Sequence, residues 1–81
     1  MIVAVRMFAR AKDLAGQEVL AVDLPEGATV AQLRQALSAT APALTGLLQR
    51  SAIAVNDQFA ADSSTIPLHA EVAIIPPVSG G

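Results

Sequence analysis

Apolar and polar positions alternate with a period of two over residues 2–9, IVAVRMFA: Val3, Val5 and Met7 fall on one side, Ala4, Arg6 and Phe8 on the other. The charge of Arg6 turns its side outward, so the run predicts a strand with Val3, Val5 and Met7 facing a core. The AKDLAG stretch that follows predicts a loop or a helical turn ending at Gly16. Residues 17–24, QEVLAVDL, predict a second strand, in the phase that puts Leu20, Val22 and Leu24 inward. About seven residues separate the two runs, which predicts a hairpin. The period changes after PEGAT. Val30, Leu33, Leu37 and Ala41 recur at steps of three and four, with Gln32, Arg34, Gln35 and Ser38 opposite. Thr29 followed by Gln32 matches a capping box, and Pro42 stops the pattern, so a helix of about 12 residues is predicted. Residues 43–50 read as a second short helix or a packed loop that contributes Leu44, Leu47 and Leu48.

Period two returns at residues 52–56, AIAVN. Asn56-Asp57 suits a two-residue turn, since both residues tolerate positive φ, and it sets Phe59 opposite Ala54 on a short return strand. DSSTIPL reads as a turn-rich connection, and residues 71–75, EVAII, as the last strand, with Val72 and Ile74 on one face and Ala73 and Ile75 on the other. The order is strand, strand, helix, strand, short strand, strand. It predicts an α+β fold: a mixed sheet of about five strands with one main helix packed on one face. By analogy, a small sheet of this order resembles the ubiquitin-like β-grasp. Residues 1–75 are expected to form that domain and residues 76–81 an extended tail.

Composition narrows the chemistry. With 81 residues there is one modest core and no room for a deep internal active site. There is no cysteine, which removes disulfides, thiolate metal sites and a cysteine nucleophile, and His69 alone makes no metal site. Net charge is −2, with Arg6, Arg10, Lys12, Arg34 and Arg50 dispersed, so neither nucleic acid nor a membrane surface is an expected partner. No apolar run approaches a membrane span and the first residues lack a signal-peptide pattern, so a cytoplasmic location is expected. His69, Ser79, Asp57, Asp62 and Glu71 have no activating neighbours at a useful spacing and read as solvated residues.

Two regions stand out. If Val3, Val5, Met7, Val72 and Ile74 face the helix, then Ala4, Phe8, Ala73 and Ile75 face away from it, joined by Ala54 and Phe59. An apolar outer sheet face predicts a docking surface. The second region is the end, Pro76-Pro77-Val78-Ser79-Gly80-Gly81. The prolines enforce an extended exit from the last strand. Gly80 and Gly81 lack Cβ and fit a channel too narrow for other residues. A carboxylate on such a tip is a natural substrate for activation by another enzyme: adenylation, then displacement of AMP by sulfur, leaves a thiocarboxylate.

The sequence resembles the MoaD-type sulfur carriers, the small subunits of molybdopterin synthase. The resemblance rests on Phe8-Ala9-Arg10, on Leu24-Pro25-Glu26-Gly27-Ala28-Thr29-Val30, on Ala54-Val55-Asn56, and on Glu71-Val72-Ala73 running into Pro76-Pro77-Val78-Ser79-Gly80-Gly81. It covers nearly the whole chain, and the terminal motif is its most specific part. It departs at Asn56-Asp57, where the family often has Asn-Gly, and at Leu68-His69-Ala70, where the family often has an acidic, glycine-containing turn.

The resemblance implies that Gly81 is adenylated by a ubiquitin-activating-type enzyme that uses ATP and becomes a thiocarboxylate. It implies docking on the large subunit of the synthase in a heterotetramer, with Phe8, Phe59, Ile75 and the tail residues Pro76, Pro77, Val78, Ser79 and Gly80 as partner contacts. Sulfur then passes to cyclic pyranopterin monophosphate, two carriers serving each dithiolene. The chain itself is expected to hold no cofactor or metal and to contribute no catalytic side chain. Two other readings remain open at this level: a sulfur carrier for thiamine or cysteine synthesis, and a ubiquitin-like protein modifier. A plain interaction module with an idle tail is a third.

Overall fold

A computed structural model describes residues 1–78, and the tail positions Ser79, Gly80 and Gly81 lie outside the described residues. The first strand, β1 (Ile2–Met7), buries Val3, Val5 and Met7 and exposes the alternate residues. It is two residues shorter than its periodicity suggests. Ala9 adopts φ 49° and ψ −123°, which ends the extended run and turns the chain into a short helix, α1 (Arg10–Ala15). Gly16 closes α1 in the left-handed conformation, φ 75°, where its N–H donates to the Lys12 carbonyl. AKDLAG is thus helical, and the expected hairpin is an antiparallel pair with a helix in its connection.

The partner strand β2 (Val19–Asp23) runs antiparallel to β1, in a register from Ile2 opposite Asp23 to Arg6 opposite Val19. Leu20, Val22 and Leu24 are buried, as the chosen phase requires. Helix α2 (Val30–Thr40) starts at the expected capping box. The Gln32 backbone N–H donates to Thr29 Oγ1 at 3.3 Å, and the Thr29 N–H donates to Gln32 Oε1 at 2.8 Å. The next two free donors of that first turn, Val30 and Ala31 N–H, reach the carbonyls of Ser64 and Asp62. Residues 61–70 are therefore more than a turn-rich connection: they complete the helix cap, and they bury Ile66 at 2% exposure, a core residue absent from the periodic pattern.

Pro42 opens a single 3₁₀ turn (Pro42–Leu44), followed by α3 (Thr45–Leu48), and Leu44, Leu47 and Leu48 are all buried. Strands β3 (Ala52–Val55), β4 (Gln58–Ala60) and β5 (Val72–Ile75) complete the sheet. Asn56 and Asp57 take φ of 51° and 66°, the paired left-handed turn expected of them, and Phe59 sits opposite Ala54. Asn56 also fastens this turn to β5: its N–H donates to the Glu71 carbonyl at 2.7 Å, and its Oδ1 accepts from Glu71 N–H at 2.9 Å. His69 takes φ 62°, so it occupies the left-handed turn position that a glycine would hold more cheaply.

The strand order is β2-β1-β5-β3-β4, with β1 and β5 parallel and the other pairs antiparallel. One face carries α2 and the whole core; the helix contributes Val30, Leu33 and Leu37 to it. The mixed five-stranded sheet with its main helix on one face is the β-grasp arrangement expected from the order of elements.

The capping box generates a prediction. Thr29→Ala removes one of two reciprocal bonds at the start of the main helix, and should cost about 1 kcal/mol. For a domain of this size that lowers the melting temperature by about 4–8 °C. Thr29→Ser, which keeps the acceptor, should melt close to wild type in the same calorimetric experiment.

Candidate functional site

The sheet's free face is built by register. Val19, Arg6, Ala73, Ala54 and Phe59 form one row across all five strands, pair by pair. The middle of the row is alanine and its flanks are large. An alanine there fills no height above the sheet, so the larger residues stand as walls over a low floor. The result is a groove of about 330 Å³ floored by Ala54 and Ala73, with Phe8 and Phe59 beside it and Ile75 also lining it. Phe59 is 76% exposed and Phe8 42%, both high for side chains of that size.

The sequence-predicted contacts Phe8, Phe59 and Ile75 are thus brought together, although they lie up to 67 positions apart in the chain. Ile75 is only half-exposed. Ala4 is exposed on the same face but is not among the lining residues. Arg6, taken from the sequence only as a mark of the outward face, also belongs to the site. Its guanidinium carbon lies 5.6 Å from the Phe8 ring centroid, a cation–π contact that holds the aromatic wall upright. Asp57 and Glu71 line the groove as well, so an apolar floor is bordered by one cation and two carboxylates. Alternation of Arg6 with Phe8 was the available signal for the first; the joining of Asp57 to Glu71 comes only from the Asn56 hydrogen bonds.

The tail leaves from this same place. Ile75, at the end of β5, is followed at once by Pro76, which is half-buried, then by Pro77 and Val78, which are exposed; Val78 is 93% exposed. These three line a second, larger cleft with Ala9, Leu47, Arg10 and Arg50. The remaining predicted tail contacts, Ser79, Gly80 and Gly81, lie outside the described residues. His69 is exposed in its turn, away from both clefts. Asp62 departs from the expectation of simple solvation: its Oδ1 accepts from Arg34 Nε at 2.8 Å, and Arg34 Nη1 also donates to the Leu48 carbonyl. Among the described residues there is no group of three or more His, Cys, Asp or Glu that could hold a metal ion, and no helix long and apolar enough to cross a membrane.

A mixed five-stranded sheet around one main helix, with an apolar outer groove leading to a proline-started tail, defines a ubiquitin-like β-grasp protein. The chain belongs to the ThiS family, whose model matches residues 5–81. It is 34% identical over 79 residues to the molybdopterin synthase sulfur carrier subunit of Arabidopsis thaliana, covering 98% of this chain and 82% of that protein. Against the protein of the same name from Dictyostelium discoideum the identity is 35% over 78 residues, covering 93% and 91%. Among solved structures, SAMP1 from Haloferax volcanii superimposes with a TM-score of 0.88 at 28% identity, over 100% of both chains. The same fold, at a TM-score of 0.69 and 24% identity over 100% of both chains, occurs in the complex of subunits 1 and 2 of molybdopterin-converting factor from Helicobacter pylori.

The exposure of Phe59 sets its expected behaviour. Phe59→Asp should leave the melting free energy within about 0.5 kcal/mol of wild type, since the ring makes little of the core. Affinity for a protein that covers the groove should fall by more than about 30-fold, the effect of losing an aromatic interface anchor of about 2 kcal/mol. Calorimetric melting and titration, run on the same sample, check both.

Proposed function

We propose that this chain is the sulfur-carrier subunit of a molybdopterin synthase, acting through its C-terminal glycine. One geometric observation carries the reading: β5 both lines the docking groove, through Ala73 and Ile75, and runs straight into the tail at Pro76. A partner seated on the groove therefore receives the tail at a fixed angle. Support comes from the similarity to molybdopterin synthase sulfur carrier subunits and from a family match that extends through residue 81.

In this reading residues 1–75 are the docking body and residues 76–81 the working tail, in the cytoplasm. A ubiquitin-activating-type enzyme binds the groove and takes the tail. The Gly81 carboxylate oxygen attacks the α-phosphorus of ATP, and pyrophosphate leaves. A sulfur nucleophile then attacks the acyl carbon of the adenylate and AMP departs, leaving –C(=O)–S⁻. The charged carrier next docks on the large synthase subunit. Its sulfur passes to cyclic pyranopterin monophosphate, and water releases the carboxylate for another round. Two carriers serve one dithiolene. The chain supplies no acid, base or metal ligand; it positions one acyl carbon.

The similarity to SAMP1, the small archaeal modifier protein 1, gives a second reading, a protein modifier whose Gly81 forms isopeptide bonds. Lys12 is the only lysine, and its Nζ is paired with Glu18 at 3.1 Å, so chains of the modifier on itself have one side-chain acceptor. Conjugates of higher mass in cell extract that vanish on deleting Gly81 would favour the modifier.

Deleting Gly81, or extending the chain by one residue, should leave the melting curve unchanged and reduce sulfur transfer to background, because the reacting carbon is displaced from its place. Reconstitution with the large subunit and a chemically prepared thiocarboxylate measures this. A Gly81-deleted chain that still forms the dithiolene overturns the carrier reading. Gly80→Ala tests the channel. An added methyl in a rigid site costs about 1–3 kcal/mol, or about 5- to 150-fold in rate. Adenylation, followed by pyrophosphate release, should slow by about tenfold or more, while groove docking stays near wild type.

A further inference from the structure

The cleft beside the tail's exit has a distinct character. Of about 820 Å³, it is lined by Arg10 and Arg50 and, among the described residues, by no carboxylate. Elsewhere the protein neutralises its cations: Lys12 pairs with Glu18, and Arg34 with Asp62. Arg6 rests on Phe8. None of the ion pairs among the described residues involves Arg10 or Arg50. Two guanidinium groups with no ion-pair partner among the described residues, brought from positions 40 apart on a chain of net charge −2, flank the base of the segment expected to enter another protein.

Both arginines sit on fixed backbone. Arg10 is the first residue of α1, set there by the strained Ala9. Arg50 lies in the turn after α3, where its N–H donates to the Leu47 carbonyl and the neighbouring Ser51, 4% exposed, donates its hydroxyl to the same carbonyl. Leu47 and the rigid Pro76-Pro77 pair line the same cleft. Such a cleft suits a carboxylate, which a guanidinium engages through two parallel hydrogen bonds, seated beside apolar contact.

We propose that Arg10 and Arg50 form an electrostatic collar that docks acidic side chains at the mouth of the pocket receiving the tail. The proposal rests on the carrier reading and names the chemistry of its partner at one spot. Three residues reach at most about 10 Å at full extension, so the collar acts at a distance from the reacting acyl carbon. Arg10 and Arg50 are therefore positioning residues, not catalytic ones: they align the tail and speed its capture, and they make that capture sensitive to salt.

The test measures pyrophosphate release by the adenylating enzyme at 50 and at 500 mM salt (roughly 14 and 4 Å screening lengths). The full chain is compared with Arg10→Gln/Arg50→Gln and Arg10→Lys/Arg50→Lys, each checked by thermal melting; the single variants are used if the double one melts early. Support is a KM raised by about tenfold in the Gln variant at low salt with kcat unchanged, a difference that shrinks to about twofold at high salt, and partial rescue by Lys. Equal KM and equal salt dependence in wild type and the Gln variant overturn the collar and leave the carrier reading standing. A wild-type chain that the enzyme does not adenylate overturns both.

Discussion

The parallel pairing of β1 with β5 is the constraint from which the rest of the molecule follows. It joins residues near the start of the chain to residues near its end, Val5 to Val72 and Met7 to Ile74, and these four are among its most buried side chains. Burial on that scale is what offsets the entropy of closing so long a loop. The pairing also sets direction. Because β5 runs the same way as β1, the tail leaves the sheet at the end where Phe8, Ala9 and Arg10 emerge, and that is why Pro76, Pro77 and Val78 share a cleft with Arg10. An antiparallel β5 would have sent the tail out at the opposite end of the sheet, away from Arg10.

The sheet divides its labour by side-chain size. Inward positions carry Val, Leu, Ile and Met and meet the helices; outward positions along the central strands β1, β5 and β3 include Ala4, Ala73 and Ala54. Alanine keeps the backbone of the central strands accessible from outside without exposing a large apolar area, and leaves the large side chains, Phe8 and Phe59, to define the walls. A face so built is apolar enough to be covered by a partner and small enough to stay in water when uncovered. The cation–π contact of Arg6 with Phe8 serves the same end, since it covers part of one ring while the groove is open.

Under the proposed function, placing the reactive group on a tail resolves a problem of scale. A domain of 81 residues spends its interior on one core. Under the proposed function, the pocket, the water exclusion and the acid–base groups all belong to other proteins, and this one contributes an extended peptide, a surface to aim it, and a cleft of two arginines at its root. The same economy fits both readings within the fold, a sulfur carrier and a protein modifier, because each needs only an activated C-terminal acyl group.

Local pattern by itself determined most of the elements. Period two in β1, β2 and β5, the Thr29-Gln32 capping box, the stop at Pro42 and the Asn56-Asp57 turn are each set by neighbours within a few residues, and all were legible. So was the division of the sheet into an inward and an outward face, and with it Phe8, Phe59 and Ile75. What tertiary structure decided was everything joined across the chain. The end of β1 at Met7 depends on the turn at Ala9, whose strained backbone no propensity foretells. Ile66 is buried because residues 61–70 fold back to cap α2. Asp62 meets Arg34, and Arg10 and Arg50 come to line one cleft, only once β5 lies beside β1 and the helices lie on the sheet. Hydrogen bonds and hydrophobic periodicity act over one or two turns of chain, whereas charge placement and cleft shape arise from segments tens of residues apart, and one sequence carries no local mark of which segments those are.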